Sequence, residues 1–289
     1  MRATIYLNGS FRPEEEAVIA PLDSGFLFGE GVFETLRADR GRPFRLTAHL
    51  ERLRRGLQLL GLPEPAALPE TGAILERLLQ ENRLREEPAA IKLTVSGGPP
   101  NDAPEPTFMV RAAPLDLTAI ARRRAGLRAG LIPWRRDRAN PLLAIKSLNY
   151  LENRLALRWA RERGLDEGIF VNFEGELCEG TFTNLFLLRE ETLLTPPQNA
   201  GLLAGITRQF ILEAAPGLGL EVREVPLRES DIETADGAFL TSSLMDLAPL
   251  LELAGKGFDP ERTRNQRNRL EKAFSEARRQ LHQPLLAGE

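Results

Sequence analysis

Of the 38 basic residues in this 289-residue chain only four are lysines, Lys92, Lys146, Lys256 and Lys272. Arginine keeps its proton, whereas a lysine amine can lose it and attack a carbonyl, so each lysine in such a chain is a candidate for chemistry. Lys146 ends the apolar run 142–145 of LLAIKSLNY, which reads as a strand delivering it to the start of a helix. Burial there disfavours the ammonium form and leaves an amine able to form a Schiff base with an aldehyde. The alternative is a lysine that snorkels to water from a strand edge. Tyr150, four residues on, is placed to reach a group held by that lysine, or simply to pack. Glu179 lies in LCEGTFTNLF, next to Cys178 and Gly180. Inside the protein its carboxylate needs a cationic or hydrogen-bonding partner, and the protonated ring nitrogen of a bound cofactor is one. In a solvated hairpin turn it needs none.

Three further segments read as anion holders. Gly205-Ile206-Thr207 opens the helical pattern ITRQFILEA, and a helix start offers unpaired N–H groups and a positive dipole end, to which the Thr207 hydroxyl adds a donor. Thr241-Ser242-Ser243 ends a strand and supplies hydroxyls and amides either to the same phosphate or to an ordinary turn. Arg52 borders the leucine stripe 50, 53, 57, 60; buried there, its guanidinium calls for an anion such as phosphate, and on the surface it does not.

The elements that must position these groups follow from hydrophobic periodicity. The first part opens with a strand over Thr4–Leu7 and a turn over 23–31 carrying Gly25, Gly29 and Gly31. Strands over 31–38 and 42–46 flank Asp39, Arg40 and Gly41 as a hairpin. On the first of them Phe33, Thr35 and Arg37 share one face, and Val32, Glu34 and Leu36 the other. Two amphipathic helices carry Leu50, Leu53, Leu57 and Leu60, and then Ile74, Leu75, Leu78 and Leu79; strands over 91–96 and 107–111 and a connector over 112–126 come next. A boundary near residue 120 divides the chain into a small N-terminal domain, 1–120, and a larger C-terminal domain, 121–289. The second part reads as an extended segment 127–134, a polar loop 135–141, a helix 149–163, and strands over 168–173, Leu177–Gly180 and 183–188. A loop over 196–204, a helix over Ile206–Ala214, strands over 220–225 and 238–241 and a polar helix over 260–282 complete it. Strands and helices do not alternate strictly, so the class is α+β rather than a doubly wound sheet.

Composition narrows the function classes. With 42% hydrophobic and 27% charged residues the chain is an ordinary globular protein. A net charge of −3 gives no bulk attraction to nucleic acid or an anionic membrane. A noncatalytic nucleic-acid module would have to rest on the arginines at 122–124 and 135–138, which read as a solvated face, and 6% aromatic residues leave little for base stacking. No apolar run is long enough to span a membrane and the first residues lack an apolar core, so a membrane protein and a secreted one are not expected. The single cysteine, Cys178, makes no internal disulfide and suits a reducing compartment, by default the cytoplasm. His49 is placed to brace Glu34 or to pack, and His282 sits in a polar tail; no spacing of His, Cys, Asp and Glu suggests a metal.

Taken in order, GFLFGEGVFETLR, AIKSLNYLENRLA, DEGIFVNFEGELCEGTFTNLF, TPPQNAGLLAGITR and LTSSLMDLAPL resemble the class IV aminotransferases of pyridoxal-phosphate fold type IV, over roughly residues 4–255. That family includes branched-chain and D-amino-acid aminotransferases, R-selective amine transaminases and 4-amino-4-deoxychorismate lyases. The resemblance implies a two-domain α+β fold, with a smaller α/β N-terminal domain, a larger β-rich C-terminal domain and a homodimer. It implies pyridoxal 5'-phosphate as cofactor, with Lys146 as Schiff-base lysine and general base, Glu179 at the pyridine nitrogen and Tyr150 at the phenolic oxygen. Arg52, Gly205, Ile206, Thr207, Ser242 and Ser243 then surround the phosphate, and Leu203 packs against the ring. Phe33, Thr35 and Arg37 match pocket positions, with Arg37 as the carboxylate clamp. The D-amino-acid enzymes carry an arginine shortly after the strand that here reads KLTVSGGPP, and this chain has none. The expected function is an amino-acid transaminase taking a small amino substrate and a keto acid. The alternative is an aminodeoxychorismate lyase releasing 4-aminobenzoate and pyruvate.

Overall fold

A computed structural model describes residues 3–100 and 105–280; His282 and the end of the expected terminal helix lie outside the described residues. The chain forms two compact units. One takes the sequence up to Leu115 and returns for Ile145–Tyr150; the other takes Asp116–Ala144 and Leu151–Gln280. A single cut near residue 120 does not anticipate that return, which carries Lys146 into the first unit.

The first unit contains β1 (Thr4–Leu7), β2 (Ser10–Pro13), α1 (Ser24–Phe28), β3 (Gly31–Asp39), β4 (Arg42–Pro43), α2 (Leu46–Leu60), α3 (Thr71–Glu81), β5 (Ala89–Ser96) and β6 (Thr107–Pro114). Its antiparallel sheet runs β2-β1-β6-β5-β3-β4. Strand β3 pairs with β5 along its length, from Gly31↔Ser96 to Ala38↔Ala89, and the two-residue period sends Val32, Glu34, Leu36 and Ala38 into the core. Helix α2 presents Leu53 and Leu57 to that core and stops at Gly61, whose φ of 68° suits glycine. Gly56 lets the helix come close to β3: a Cβ there would lie 2.8 Å from Val32 Cγ1.

Glu34 is fully buried among these apolar residues, and α2 brings it the cation it needs. Arg52 Nε and Nη2 donate to its two oxygens at 2.7 Å each, and His49 Nδ1 lies 2.6 Å from Oε2. Burial by itself would raise the Glu34 pKa; the Arg52 charge and the hydrogen bonds from Arg52 and His49 override it and bring the value down to about 2. His49 is lowered from its ordinary value because burial outweighs the attraction of Glu34, so it stays neutral near pH 7.

The second unit contains α4 (Leu117–Arg124), β7 (Leu127–Arg136), α5 (Leu151–Arg161), β8 (Glu167–Asn172), β9 (Leu177–Gly180), β10 (Asn184–Arg189), β11 (Thr192–Thr195), α6 (Ile206–Ala214), β12 (Glu221–Glu224), α7 (Glu229–Thr234), β13 (Gly237–Ser242), β14 (Asp246–Leu253), β15 (Lys256–Gly257) and α8 (Arg264–Gln280). The strand order is β12-β11-β10-β13-β14-β7-β8-β9, with β9 pairing back onto β10. The strands from β10 round to β9 therefore close on themselves, and the closing pair is Asn184↔Glu179. Leu127, Ile169, Leu177, Leu185, Leu187, Leu240 and Leu250 belong to one buried cluster fed by these strands.

Several expectations are corrected. The run 142–145 is no strand: Pro141–Ala144 is a single 3-10 turn, initiated where Asn140 Oδ1 accepts the Leu142 amide at 3.0 Å. Tyr150 precedes α5 instead of lying in its first turn. The supposed connector 112–126 holds the end of β6 and the helix α4, whose N-cap Asp116 accepts the Ala119 amide at 2.8 Å. Strands β2, β11, β14 and β15 and helices α1 and α7 are additions to the elements expected from periodicity, and the expected strand 42–46 stops at Pro43, with Leu46 already in α2. No helix among the described residues is long and apolar enough to cross a membrane.

The Glu34 cluster sets an acid limb. A carboxyl held below its unfolded pKa of 4.5 contributes stability above that pH and loses it as pH falls towards about 2, a difference of about 3 kcal/mol. Glu34→Gln strands Arg52 and should destabilise the protein at pH 7 by about 3–5 kcal/mol. Urea unfolding should show the gap to the wild type narrowing between pH 4.5 and 2; a gap that stays constant across that range contradicts the assignment.

Candidate active site

In the first unit Lys146 hangs on the free edge of β3. The Phe33 amide donates to the Lys146 carbonyl at 2.9 Å, the Leu148 amide to Gly31 O at 2.9 Å, and Val32 bridges Ser147. Gly31 allows this approach, since a Cβ there would lie 2.4 Å from Val95 O and 2.7 Å from Leu148 Cδ1. Lys146 is half-buried. Its Nζ lies 4.5 Å from the centroid of the Phe33 ring and 5.4 Å from that of Tyr150. The two rings meet edge to face with centroids 5.3 Å apart. Lysine, Phe33 and Tyr150 are thus one cluster. Lys92 joins it: paired with Thr35 across β3 and β5, it sends its Nζ to 4.9 Å from the same Phe33 ring. Burial, and then the neighbouring Arg111, lower the pKa of Lys92 from its ordinary value. Thr35 and Arg37 follow Phe33 on the face as expected, but Arg37 gives Nε and Nη2 to Asp39 at 2.8–3.1 Å. Arg52 lies in the Glu34 cluster described above.

In the second unit Glu179 is 8% exposed on β9, not a solvated turn residue. Its Oε1 accepts from Arg136 Nη1 at 3.0 Å, and its Oε2 accepts from the Leu203 amide at 3.1 Å and lies 3.4 Å from Asn184 Nδ2. Asn184 Nδ2 also donates to the Leu203 carbonyl at 2.9 Å, fixing the loop before α6. Beyond that loop Gly205 begins α6 with no side chain capping the amides of Ile206 and Thr207. Asn184 Oδ1 occupies the space a side chain at 205 would need: a Cβ there would lie 1.9 Å from it. Asn184 therefore touches both the carboxylate and the helix start. Across the sheet from it, Thr241 has a buried Oγ1 with no hydrogen-bond partner, and Ser242 and Ser243 follow, half-buried, at the turn into β14.

Uncapped amides, an orphaned hydroxyl and two serines fit a bound phosphate, and a buried carboxylate held on both oxygens fits a protonated ring nitrogen. The residues present therefore suit pyridoxal phosphate. Cys178, next to Glu179, plays no ionic part: burial pushes its thiol up to about 12, and Sγ donates to Ala200 O at 3.1 Å.

Arg136 and Asn184 are missed by sequence reasoning, which singles out Lys92 only as one of the rare lysines. The reading of 135–138 as a solvated face is corrected at Arg136, which is 3% exposed and lies with Cζ 3.3 Å from the Phe170 ring centroid. Within 122–124, Arg123 lies over Phe182 and Arg124 pairs with Asp246 at 2.5 Å, so these arginines serve the second unit's own packing. Alternation along β7 is the available signal for Arg136, since Ile132 and Arg136 are both buried there.

The family described as Amino-transferase class IV matches residues 31–253. A Methanocaldococcus jannaschii protein provisionally named a branched-chain-amino-acid aminotransferase is 34% identical over 283 residues, 95% of this chain and 96% of that one. The aminodeoxychorismate lyase of Bacillus subtilis is 32% identical over 255 residues, 86% of this chain. That similarity spans 84% of each chain for a Rickettsia bellii protein named a probable branched-chain-amino-acid aminotransferase, at 30% identity. The branched-chain aminotransferase of Thermoproteus uzoniensis, solved with norvaline, superposes with a TM-score of 0.86 at 28% identity, covering 96% of this chain and 95% of that one. The α+β architecture is that of pyridoxal-phosphate fold type IV, and its family is PLP-dependent. Matched over most of its length, the chain that carries Lys146 and Glu179 belongs to the class IV aminotransferases.

Proposed function

We propose that this enzyme is a pyridoxal-phosphate-dependent transaminase that moves the amino group of an amino acid to a keto acid. The observation that carries the reading is Asn184, which joins the Glu179 carboxylate to the uncapped start of α6, two features that suit two ends of one cofactor. Bound there, pyridoxal phosphate supplies an electron-withdrawing ring that takes up the electron pair left at the substrate Cα. Lys146 anchors the cofactor and then moves a proton at Cα as general base. Glu179 holds the proton at the ring nitrogen, and Tyr150 donates to the phenolic oxygen. Ile206, Thr207, Ser242, Ser243 and Arg52 bind the phosphate, Arg52 while its Nε and Nη2 stay on Glu34; Gly205 makes room for Asn184, and Leu203 packs on the ring. Phe33 and Thr35 line the substrate pocket. Lys92 and Arg37 meet the carboxylate; of the two only Arg37 must loosen an existing pair, with Asp39, to do so.

The working form is inferred to be a cytoplasmic homodimer. The dimer is supported by the apolar segment around α1, where Val18, Leu22, Phe26 and Phe28 are each more than half exposed, and the compartment by the single cysteine, Cys178, which makes no internal disulfide.

Four measurements test the proposal. With purified holoenzyme, the visible band of the bound cofactor should bleach on adding an amino acid and return on adding a keto acid. Release of 4-aminobenzoate and pyruvate from aminodeoxychorismate, without the amine form of the cofactor building up, would establish the lyase reaction instead. Lys146→Ala should lose all borohydride-fixable cofactor; retention of it refutes the role of that lysine. Gly205→Ala should displace Asn184 and weaken cofactor binding by about tenfold or more, as overpacking of a filled site does, and an unchanged dissociation constant would remove the phosphate assignment.

A further inference from the structure

Arg136 carries more contacts than a structural arginine on β7 requires. Nη1 donates to Glu179 at 3.0 Å, Nε to Glu152 Oε2 at 3.0 Å and Nη2 to Asn153 Oδ1 at 3.2 Å, while the guanidinium plane covers Phe170. All three of its nitrogens are thus engaged, from α5 and β9, with β8 beneath the plane, and the cation cannot swing away from the carboxylate. The cluster holds two acids, Glu152 and Glu179, and one base, Arg136 itself. Other titratable groups near Glu179 do not alter that count: Cys178 remains a thiol, and Glu176 is held by Asn172 at 2.9 Å and Arg138 at 3.6 Å.

This arrangement has a direct consequence for where a proton rests. A buried carboxylate facing a ring nitrogen can share one proton with it in two ways, as an ion pair or as a neutral pair, and low dielectric favours the neutral pair. A fixed cation 3.0 Å from the carboxylate oxygen reverses that preference by stabilising the anion. Were Arg136 the only charged neighbour, the ring would face a neutralised site. Glu152, on the solvent side of the guanidinium, restores one net negative charge, which a protonated ring then matches.

We infer that Arg136, backed by Glu152, is the positioning residue that keeps Glu179 a carboxylate and so leaves the shared proton on the cofactor ring nitrogen. The inference rests on the proposed pyridoxal-phosphate reading. Without Arg136 the proton passes from the ring nitrogen to Glu179, and the ring loses its power to draw electrons from Cα. Nothing is oxidised or reduced; one N–H bond breaks and one O–H bond forms.

The test loads the protein with pyridoxal phosphate labelled with nitrogen-15 in the ring and records the nitrogen signal, which reports protonation directly. The wild type at pH 7.5 should give the protonated signal. Arg136→Gln should give mainly the unprotonated one, and Arg136→Lys, which keeps the charge, should restore the protonated one. Glu152→Gln, on a half-exposed helix position, should lower the pH at which the ring nitrogen loses its proton by about half a unit, the scale of one screened charge two groups away. A wild-type signal in Arg136→Gln overturns the inference; should that variant not fold, an unmoved titration in Glu152→Gln overturns it. A wild type that binds no cofactor overturns the reading beneath it and this inference with it.

Discussion

The second unit is organised around a buried carboxylate that has to be supplied with hydrogen-bond donors. Glu179 sits in β9, and its register partner across the closing edge of the strand ring is Asn184. The contact that completes the ring and the contact that holds the carboxylate are therefore made by the same two residues. A carboxylate as buried as this one would cost several kcal/mol if left unpaired. Here Arg136, the Leu203 amide and Asn184 supply donors from three separate stretches of chain, so the unit must be fully assembled before the charge is satisfied.

The same logic recurs in the first unit with different chemistry. Strand β3 alternates strictly, and its two faces carry opposite duties. Glu34 points into the core, where Arg52 and His49 from α2 satisfy it and pin helix to sheet. Phe33, one residue earlier, faces the other way and forms the platform on which Lys146 rests. A one-residue slip of β3 would put the acid on the platform and the ring in the core, so the full-length pairing with β5 protects the site as much as the fold.

How far the sequence reveals this depends on the range of the interactions. Periodicity locates β1, β3, α2, α3 and α6, because a helix or strand with one apolar face is a local pattern. Lys146, Glu179 and Gly205 stand out by type, since an amine, an acid and a glycine in apolar company each need a reason. Arg136 is hidden in RRDR because its burial is decided by Phe170, a residue far along the chain that lies on β8. Asn184 is hidden because its partners, Glu179 and Leu203, are brought to it by strand pairing and a loop. The run 142–145 misleads because apolarity does not choose between strand and turn; Asn140 and Pro141 decide it locally. Helix α4 is legible in principle from its Asp116 cap, but three arginines in its last turn make it read as a connector.

The division of labour between the two basic residue types follows from proton affinity. Arg52, Arg136 and Arg208 are all nearly buried, and each lies against a carboxylate: Glu34, Glu179 and Glu224 at 2.6–3.0 Å. A group that cannot shed its proton is best satisfied by an anion where it is buried, and its planar fork then fixes that anion in place. The two lysines at Phe33 show the opposite case. Their Nζ atoms lie 4.9 Å and 4.5 Å from one ring centroid. The ring face attracts either ammonium group, and a lysine, unlike an arginine, is a residue type that can give up its proton there. Burial and the neighbouring Arg111 already lower the pKa of Lys92 from its ordinary value.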